Sequence, residues 1–304
     1  MKANNKVRTI LDYYESDNPG VKNNLARILN HGALGGTGKM IILPVDQGFE
    51  HGAGRSFSMN PAAYDPLYHF ELAVEGGVNA YAAPIGWLEA GADTFAGMVP
   101  TILKINSSNS MITLKDQAVT ASVDDALRLG CSAIGFTIYP GSEHSLDMFE
   151  EIRELSKEAK AKGLAVIIWS YARGNMSKQG ETALNTIAYG AHMAALLGAH
   201  IIKVKLPTDF LEDDASKPAY VENKIDGSTL TARVKHIVQC CFNGRRMVVF
   251  SGGDTKSVNS VYDDAIAIRD GGGNGSIMGR NCFQRPKKEA LELLKKLVNI
   301  YSEK

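Results

Sequence analysis

The chain has 304 residues, 44% of them hydrophobic, with 33 basic and 33 acidic side chains and a formal net charge of zero. This composition can fill a large apolar core, and it lacks the basic excess that nucleic acid or an anionic membrane surface demands, so neither is expected as a partner. Residues 1–30 hold no apolar run of signal-peptide length, and nowhere do about 18 apolar residues follow one another, so no membrane span is expected.

In chain order, residues 1–38 form an extension that is expected to add a helix or cover the bottom of the domain at 39–304. Eight short apolar runs then follow, at 40–45, 78–83, 101–105, 132–139, 164–169, 200–204, 247–250 and 275–278. Most are rich in Val and Ile and do not alternate strictly, as strands buried on both faces do not. Helical stretches separate them, at 124–129, 145–162, 182–197, 229–241, 258–270 and 287–301. In the 145–162 stretch Leu146, Phe149, Ile152 and Leu155 recur every third residue and are read as its buried face, and Gly163 stands where a helix-terminating glycine belongs. A polar insertion at 207–228, with acidic Glu212, Asp213 and Asp214, follows the sixth run.

Strand and helix alternating eight times fit a single (β/α)₈ TIM barrel with an N-terminal extension. A doubly wound sheet shares the alternation and is the competing architecture. The cysteines, Cys131, Cys240, Cys241 and Cys282, have neither CxxC nor zinc spacing, so free thiols in a reducing, cytoplasmic compartment are expected.

A barrel carries its active site at the C-terminal ends of its strands. Lys203 and Lys205 lie two apart on the sixth run and share a face. A lysine in a barrel interior must be paired or lose its proton, and desolvation beside a second cation favours the neutral amine that attacks carbonyls. The alternative is that one or both reach the surface or pair with acids. Ser251, Gly252 and Gly253 end the seventh run and Gly279 and Arg280 the eighth, where glycine amides and a guanidinium could hold a phosphate. Asp46 and Tyr171 are the acid/base candidates, against ordinary capping and packing roles. Trp169 either walls the site or belongs to the core. His51 sits close to Asp46, but too few of the seven histidines fall at strand ends for a zinc site, so no metal is expected.

Five segments in register, LPVDQGFEHG at 43–52, WSYARG at 169–174, GAHIIKVK at 198–205, SGG at 251–253 and MGRN at 278–281, resemble the archaeal-type class I fructose-bisphosphate aldolases. The resemblance covers the chain from about residue 25 onward. It implies Lys203 as the Schiff-base lysine, Lys205 as its auxiliary neighbour, Tyr171 as acid/base, Trp169 and Asp46 in the site, and a phosphate held by 251–253, Gly279 and Arg280. His51 belongs to a shared motif without an assigned role. The implied substrate is a sugar phosphate, fructose 1,6-bisphosphate, without cofactor or metal, in a homo-oligomer of up to ten subunits. The competing readings are a transaldolase-like synthase acting on another phosphorylated carbonyl compound, and a non-catalytic barrel that binds phosphorylated metabolites.

Overall fold

The computed structural model describes residues 5–253 and 256–303. Two helices, α1 (Asn5–Asp12) and α2 (Pro19–Asn30), precede the first strand, β1 (Met40–Pro44). Then follow α3 (Pro66–Glu75), β2 (Ala80–Ala83), β3 (Thr101–Lys104), α4 (Val123–Arg128), β4 (Ala133–Ile138), α5 (Ser145–Ala161), β5 (Ala165–Ser170) and α6 (Leu184–Leu196). The chain continues through β6 (Ile201–Lys205), α7 (Leu230–Cys240), β7 (Met247–Ser251), α8 (Val258–Asp270), β8 (Gly275–Ile277) and α9 (Lys287–Ser302). All eight strands are parallel, each pairs with its sequence neighbours, and β8 closes on β1 with Met40 opposite Gly275. The sheet is therefore a closed barrel, and the doubly wound alternative is excluded.

The two-residue period of each strand divides the apolar side chains into two cores. Ile41, Leu43, Tyr81, Leu103, Ile134, Phe136, Ile168, Ile202 and Phe250 point outward against the helices. Met40, Ile42, Ile102, Ala165, Ile167, Trp169, Ile201, Val249 and Ile277 point inward. One inward layer depends on a size match: the ring of Trp169 fills the interior across from Gly135, where any Cβ would collide with it.

The helices start and stop on local chemistry. Asp65 caps α3 by accepting from the Leu67 amide (2.9 Å), Ser122 forms a capping box on α4, and Thr229 caps α7. Gly163, at φ +83°, lies just past the end of α5 in the left-handed region that favours glycine. The buried face of α5 keeps most of the one read off its sequence, with Ile152 buried and Phe149 and Leu155 packed partly buried against the core, but it is centred differently. Its buried members are Met148, Ile152, Ser156 and Ala159, while Leu146 is 70% exposed. A strict three-residue step falls short of a helical turn of about 3.6 residues and drifts off the core face within two turns.

The N-terminal extension closes the bottom of the barrel. Val7, Tyr14, Val21, Leu25, Ile28 and Leu29 pack into the inward core. The Tyr14 hydroxyl donates to the His200 carbonyl (2.6 Å), just ahead of β6. Asn79 accepts from the Ile41 amide (2.9 Å) and donates to the carbonyls of Ile28 and His31, tying α2 to the sheet. Among the described residues no helix is long and apolar enough to cross a membrane. All four cysteines are unpaired thiols.

Candidate active site

The inward parity of each strand, continued past its C-terminal end, selects the side chains that meet at the top of the barrel. On β1 the series Met40, Ile42 runs on to Asp46; on β5, Trp169 is followed by Tyr171; on β6, Ile201 is followed by Lys203 and Lys205. On β7 it reaches Ser251, and beyond β8 it reaches Gly279. A polar cavity at this end is lined by Asp46, Glu50, His51, Tyr171, Arg173, Lys203, Lys205, Ser251, Gly252, Gly253, Gly279 and Arg280. Trp169 does not line it. That side chain is fully buried and lies beneath Lys203, whose Nζ stands 5.3 Å from the indole centroid and 5.4 Å from the Tyr171 ring.

Lys203 is 2% exposed, and burial lowers its pKa from 10.5 to about 8. The carboxylates of Asp46 and Glu50 oppose that shift and Arg280 adds to it. At neutral pH the free-amine fraction is then on the order of a few hundred-fold above that of an ordinary lysine. Lys205 differs. It sits at the cavity mouth, with its Nζ 3.2 Å from Glu181 Oε2. The internal cation paired in depth with Lys203 is instead Lys104 on β3, 3% exposed, whose Nζ lies 5.9 Å from the same Trp169 ring.

Tyr171 carries a proton that it does not readily lose. Burial, then the charges of Asp46 and Glu50, push its phenol well above the ordinary range. Arg173 joins the far side: Nη1 donates to Glu50 Oε1 (2.7 Å) and to the Tyr139 hydroxyl (2.9 Å), with the guanidinium 5.6 Å from the Tyr171 ring. Burial would raise the Glu50 pKa, but the charge and hydrogen bond of Arg173 hold it below the ordinary carboxylate range. His51 lies 3.9 Å from Glu50, and its Nδ1 is buried without a protein partner. Burial holds this imidazole below its ordinary pKa despite Glu50, so it is neutral near pH 7.

The loops after β7 and β8 form the glycine-rich side of the cavity, with Arg280 beside it. Gly253 has φ +68°, a conformation that glycine adopts without cost, and this turns the backbone after Ser251. A Cβ on Gly279 would lie 2.6 Å from the Pro44 carbonyl oxygen and 3.0 Å from Gln47 Nε2, so only glycine lets this loop approach β1. Asn281 accepts from the Lys256 amide (2.9 Å) and donates to the Gly252 carbonyl (3.5 Å), holding the two loops together.

The loop after β5 is latched to the polar insertion, where Ser177 donates to Glu212 from both its amide and its hydroxyl (2.7 Å each). That insertion contains a short helix, Lys217–Glu222, which its composition did not announce. Among the described residues no three His, Cys, Asp or Glu side chains converge as metal ligands would.

Sequence reasoning missed Lys104, Glu50, Arg173 and Asn281 as members of this site. The parity that singled out Lys203 also singles out Lys104, two positions beyond inward-facing Ile102. The pairing of Glu50 with Arg173 bridges loops 123 residues apart and follows only from barrel closure.

An amine whose pKa burial brings down to about 8, beside a protonated phenol and a rim of glycines and Arg280, fits carbonyl chemistry on a phosphorylated substrate. The comparisons with known proteins bear on the same point. Residues 40–285 match the family described as DeoC/LacD family aldolase. The chain belongs to that family.

Among its relatives, a Chlamydia muridarum protein named "Probable fructose-bisphosphate aldolase class 1" is 35% identical over 95% of this chain and 87% of its own length. The Thermoproteus tenax "Fructose-bisphosphate aldolase class 1" is 33% identical over 86% of this chain and 89% of its own. A solved structure titled for the mechanism of the Schiff base forming fructose-1,6-bisphosphate aldolase superposes with a TM-score of 0.75 at 30% identity, covering 90% of this aldolase and 98% of that chain.

Proposed function

We propose that this aldolase is a class I, Schiff-base fructose-bisphosphate aldolase that reversibly cleaves fructose 1,6-bisphosphate to dihydroxyacetone phosphate and glyceraldehyde 3-phosphate. The observation that carries the reading is Lys203: a lysine sealed inside the barrel, with its pKa brought down to about 8, at the floor of a cavity whose rim suits phosphate.

In this reading Lys203 Nζ attacks the C2 carbonyl and the carbinolamine loses water to a protonated imine. Asp46 positions the substrate or takes the proton of the C4 hydroxyl. As the C3–C4 bond breaks, its electron pair flows into the imine, glyceraldehyde 3-phosphate leaves, and Tyr171 gives its proton to C3 of the enamine. Water then attacks the imine carbon and frees Lys203 and dihydroxyacetone phosphate.

Ser251, Gly252, Gly253, Gly279 and Arg280 hold the phosphate next to the reacting carbonyl, and Lys205 and His51 face the remainder of the substrate. Trp169 is the floor that fixes Lys203 rather than a substrate contact. Four unpaired thiols support a cytoplasmic location, and the family resemblance supports a homo-oligomer built on barrels of residues 39–304.

Steady-state turnover of fructose 1,6-bisphosphate in EDTA tests the reading. We expect undiminished activity in the wild type and none in Lys203→Met. Chelator-abolished activity, or a Lys203→Met variant as active as wild type, would refute it. Binding without turnover would return the protein to the class of metabolite-binding barrels.

A further inference from the structure

Two segments have no part in the proposed reaction, the loop after β5 and the polar insertion after β6, and they meet at the cavity mouth. Beyond the latch between Ser177 and Glu212, the Gly180 amide donates to the Ser177 hydroxyl (2.9 Å). The turn Gly180–Thr182 lies so close to the insertion that a Cβ on Gly180 would stand 2.5 Å from the Glu212 carboxyl carbon. From the other side the Thr208 amide donates to the Thr182 carbonyl (2.7 Å). Glu181 is therefore carried on a turn that is fixed at both ends.

The Glu181 side chain reaches Lys205, with Oε2 3.2 Å from Nζ, and the two are largely shielded, at 18% and 26% side-chain exposure. Its other partner, Lys178, stands 3.1 Å away but is 89% exposed, so water screens it. Burial would raise the Glu181 carboxyl, but its bonds to Lys178 and Lys205 hold it below the ordinary range, so it is charged at neutral pH. Lys205 lines the cavity and leaves β6 about 7 Å further toward the mouth than Lys203.

Fructose 1,6-bisphosphate carries one phosphate beside the reacting C2 and a second at C6, four carbons away. With the first held by the loops after β7 and β8, the second extends toward the mouth, where Lys205 is a cation already paired. We propose that Glu181 is a specificity-determining residue, a built-in carboxylate that holds Lys205 and that the far phosphate of the substrate must displace. A dianion arriving beside this carboxylate meets repulsion as well as attraction. The site therefore weighs the charge at the remote end of the substrate, and it holds the departing phosphorylated aldehyde less firmly than an unpaired lysine would.

The inference rests on the Schiff-base reading of Lys203, and the test keeps the two apart. Imine formation on Lys203 is trapped with borohydride over a range of concentrations of fructose 1,6-bisphosphate and of fructose 1-phosphate, which lacks the far phosphate. The readout is the half-saturating concentration of each in wild type, Glu181→Gln, Lys205→Met and the double variant. In Glu181→Gln that of the bisphosphate should fall about fivefold relative to the monophosphate. In Lys205→Met it should rise about tenfold by the same measure. The Gln substitution should add nothing in the Lys205→Met background, because no cation is left to compete for.

A bisphosphate preference that is unmoved or reduced in Glu181→Gln overturns the role of Glu181 alone, and so does an equal effect of that substitution with and without Lys205. A purely structural role would shift both sugars alike and leave the preference unmoved. Glu181→Asp, which keeps the charge on a stem one carbon shorter, should fall between wild type and Glu181→Gln, and it carries the test should the Gln variant not fold. No imine trapped on Lys203 of the wild type with either sugar overturns the catalytic reading beneath the inference.

Discussion

Lys203, Lys104 and Lys205 lie within one barrel yet are three chemically different lysines, because depth and partners differ at each. Lys203 has rings around it, Lys104 has oxygens, and Lys205 has a carboxylate at the mouth. Only the neutral amine adds to a carbonyl, so imine formation should rise with pH through about 8 and level off above it. An inflection near 10, that of an ordinary lysine, would show that burial does not tune the amine.

In the proposed mechanism Tyr171→Phe removes the proton that the enamine needs and leaves the amine intact. Turnover should fall by about 10²- to 10⁴-fold while an imine can still be trapped. A Phe variant that turns over normally would move the proton transfer to another group. Parity along a strand was legible in the sequence and paired Lys203 with Lys205, and strand-end position picked out Asp46 and Tyr171. Depth was not, because it depends on how the strands are staggered. Trp169 therefore could not be told from a cavity wall, and Lys104 went unused.

At the scale of the element, the eight strands could be recognised because strands buried on both faces read as continuous apolar runs. The end of α5 was legible through Gly163. The centring of its inner face was not, since Leu146 and Met148 are equally apolar and only a 3.6-residue period assigns them to opposite sides. The match between β4 and β5 makes a sharper test. Gly135→Ala should cost about 1–3 kcal/mol by driving a methyl into the Trp169 ring. Thermal unfolding measures that loss, and the fluorescence of Trp169, one of only two tryptophans, reports the displacement. An unchanged melting temperature would mean that the barrel interior is looser than its packing indicates.

At the scale of the whole molecule, barrel closure brings distant loops together, and no local pattern foretells which residues will meet. Glu50 and Arg173 pair across the mouth between the loops after β1 and β5. The Glu50 carboxylate is held below its ordinary value of 4.5, so the pair's contribution is fully present above that pH and is lost as pH falls through the depressed value. Glu50→Gln should destabilise the protein by about 1–3 kcal/mol at neutral pH. That difference should shrink on acidification; a gap that stays constant into the acid range would remove Glu50 as its source.

At the opposite end, Tyr14→Phe should cost about 0.5–1.5 kcal/mol through the lost bond to the His200 carbonyl, with no change in catalysis. A loss of activity there would mean that the α1–α2 plug reaches the site. The candidate site and the α1–α2 plug thus lie at opposite ends of one barrel, and the proposed chemistry converges on the sixth strand.

The most direct test of that convergence is borohydride reduction of the wild-type protein with fructose 1,6-bisphosphate in the presence of EDTA, followed by peptide mass analysis. The account predicts one reduced adduct, on Lys203, undiminished by chelator. An adduct on Lys104 or Lys205 instead, or no adduct at all, would contradict it.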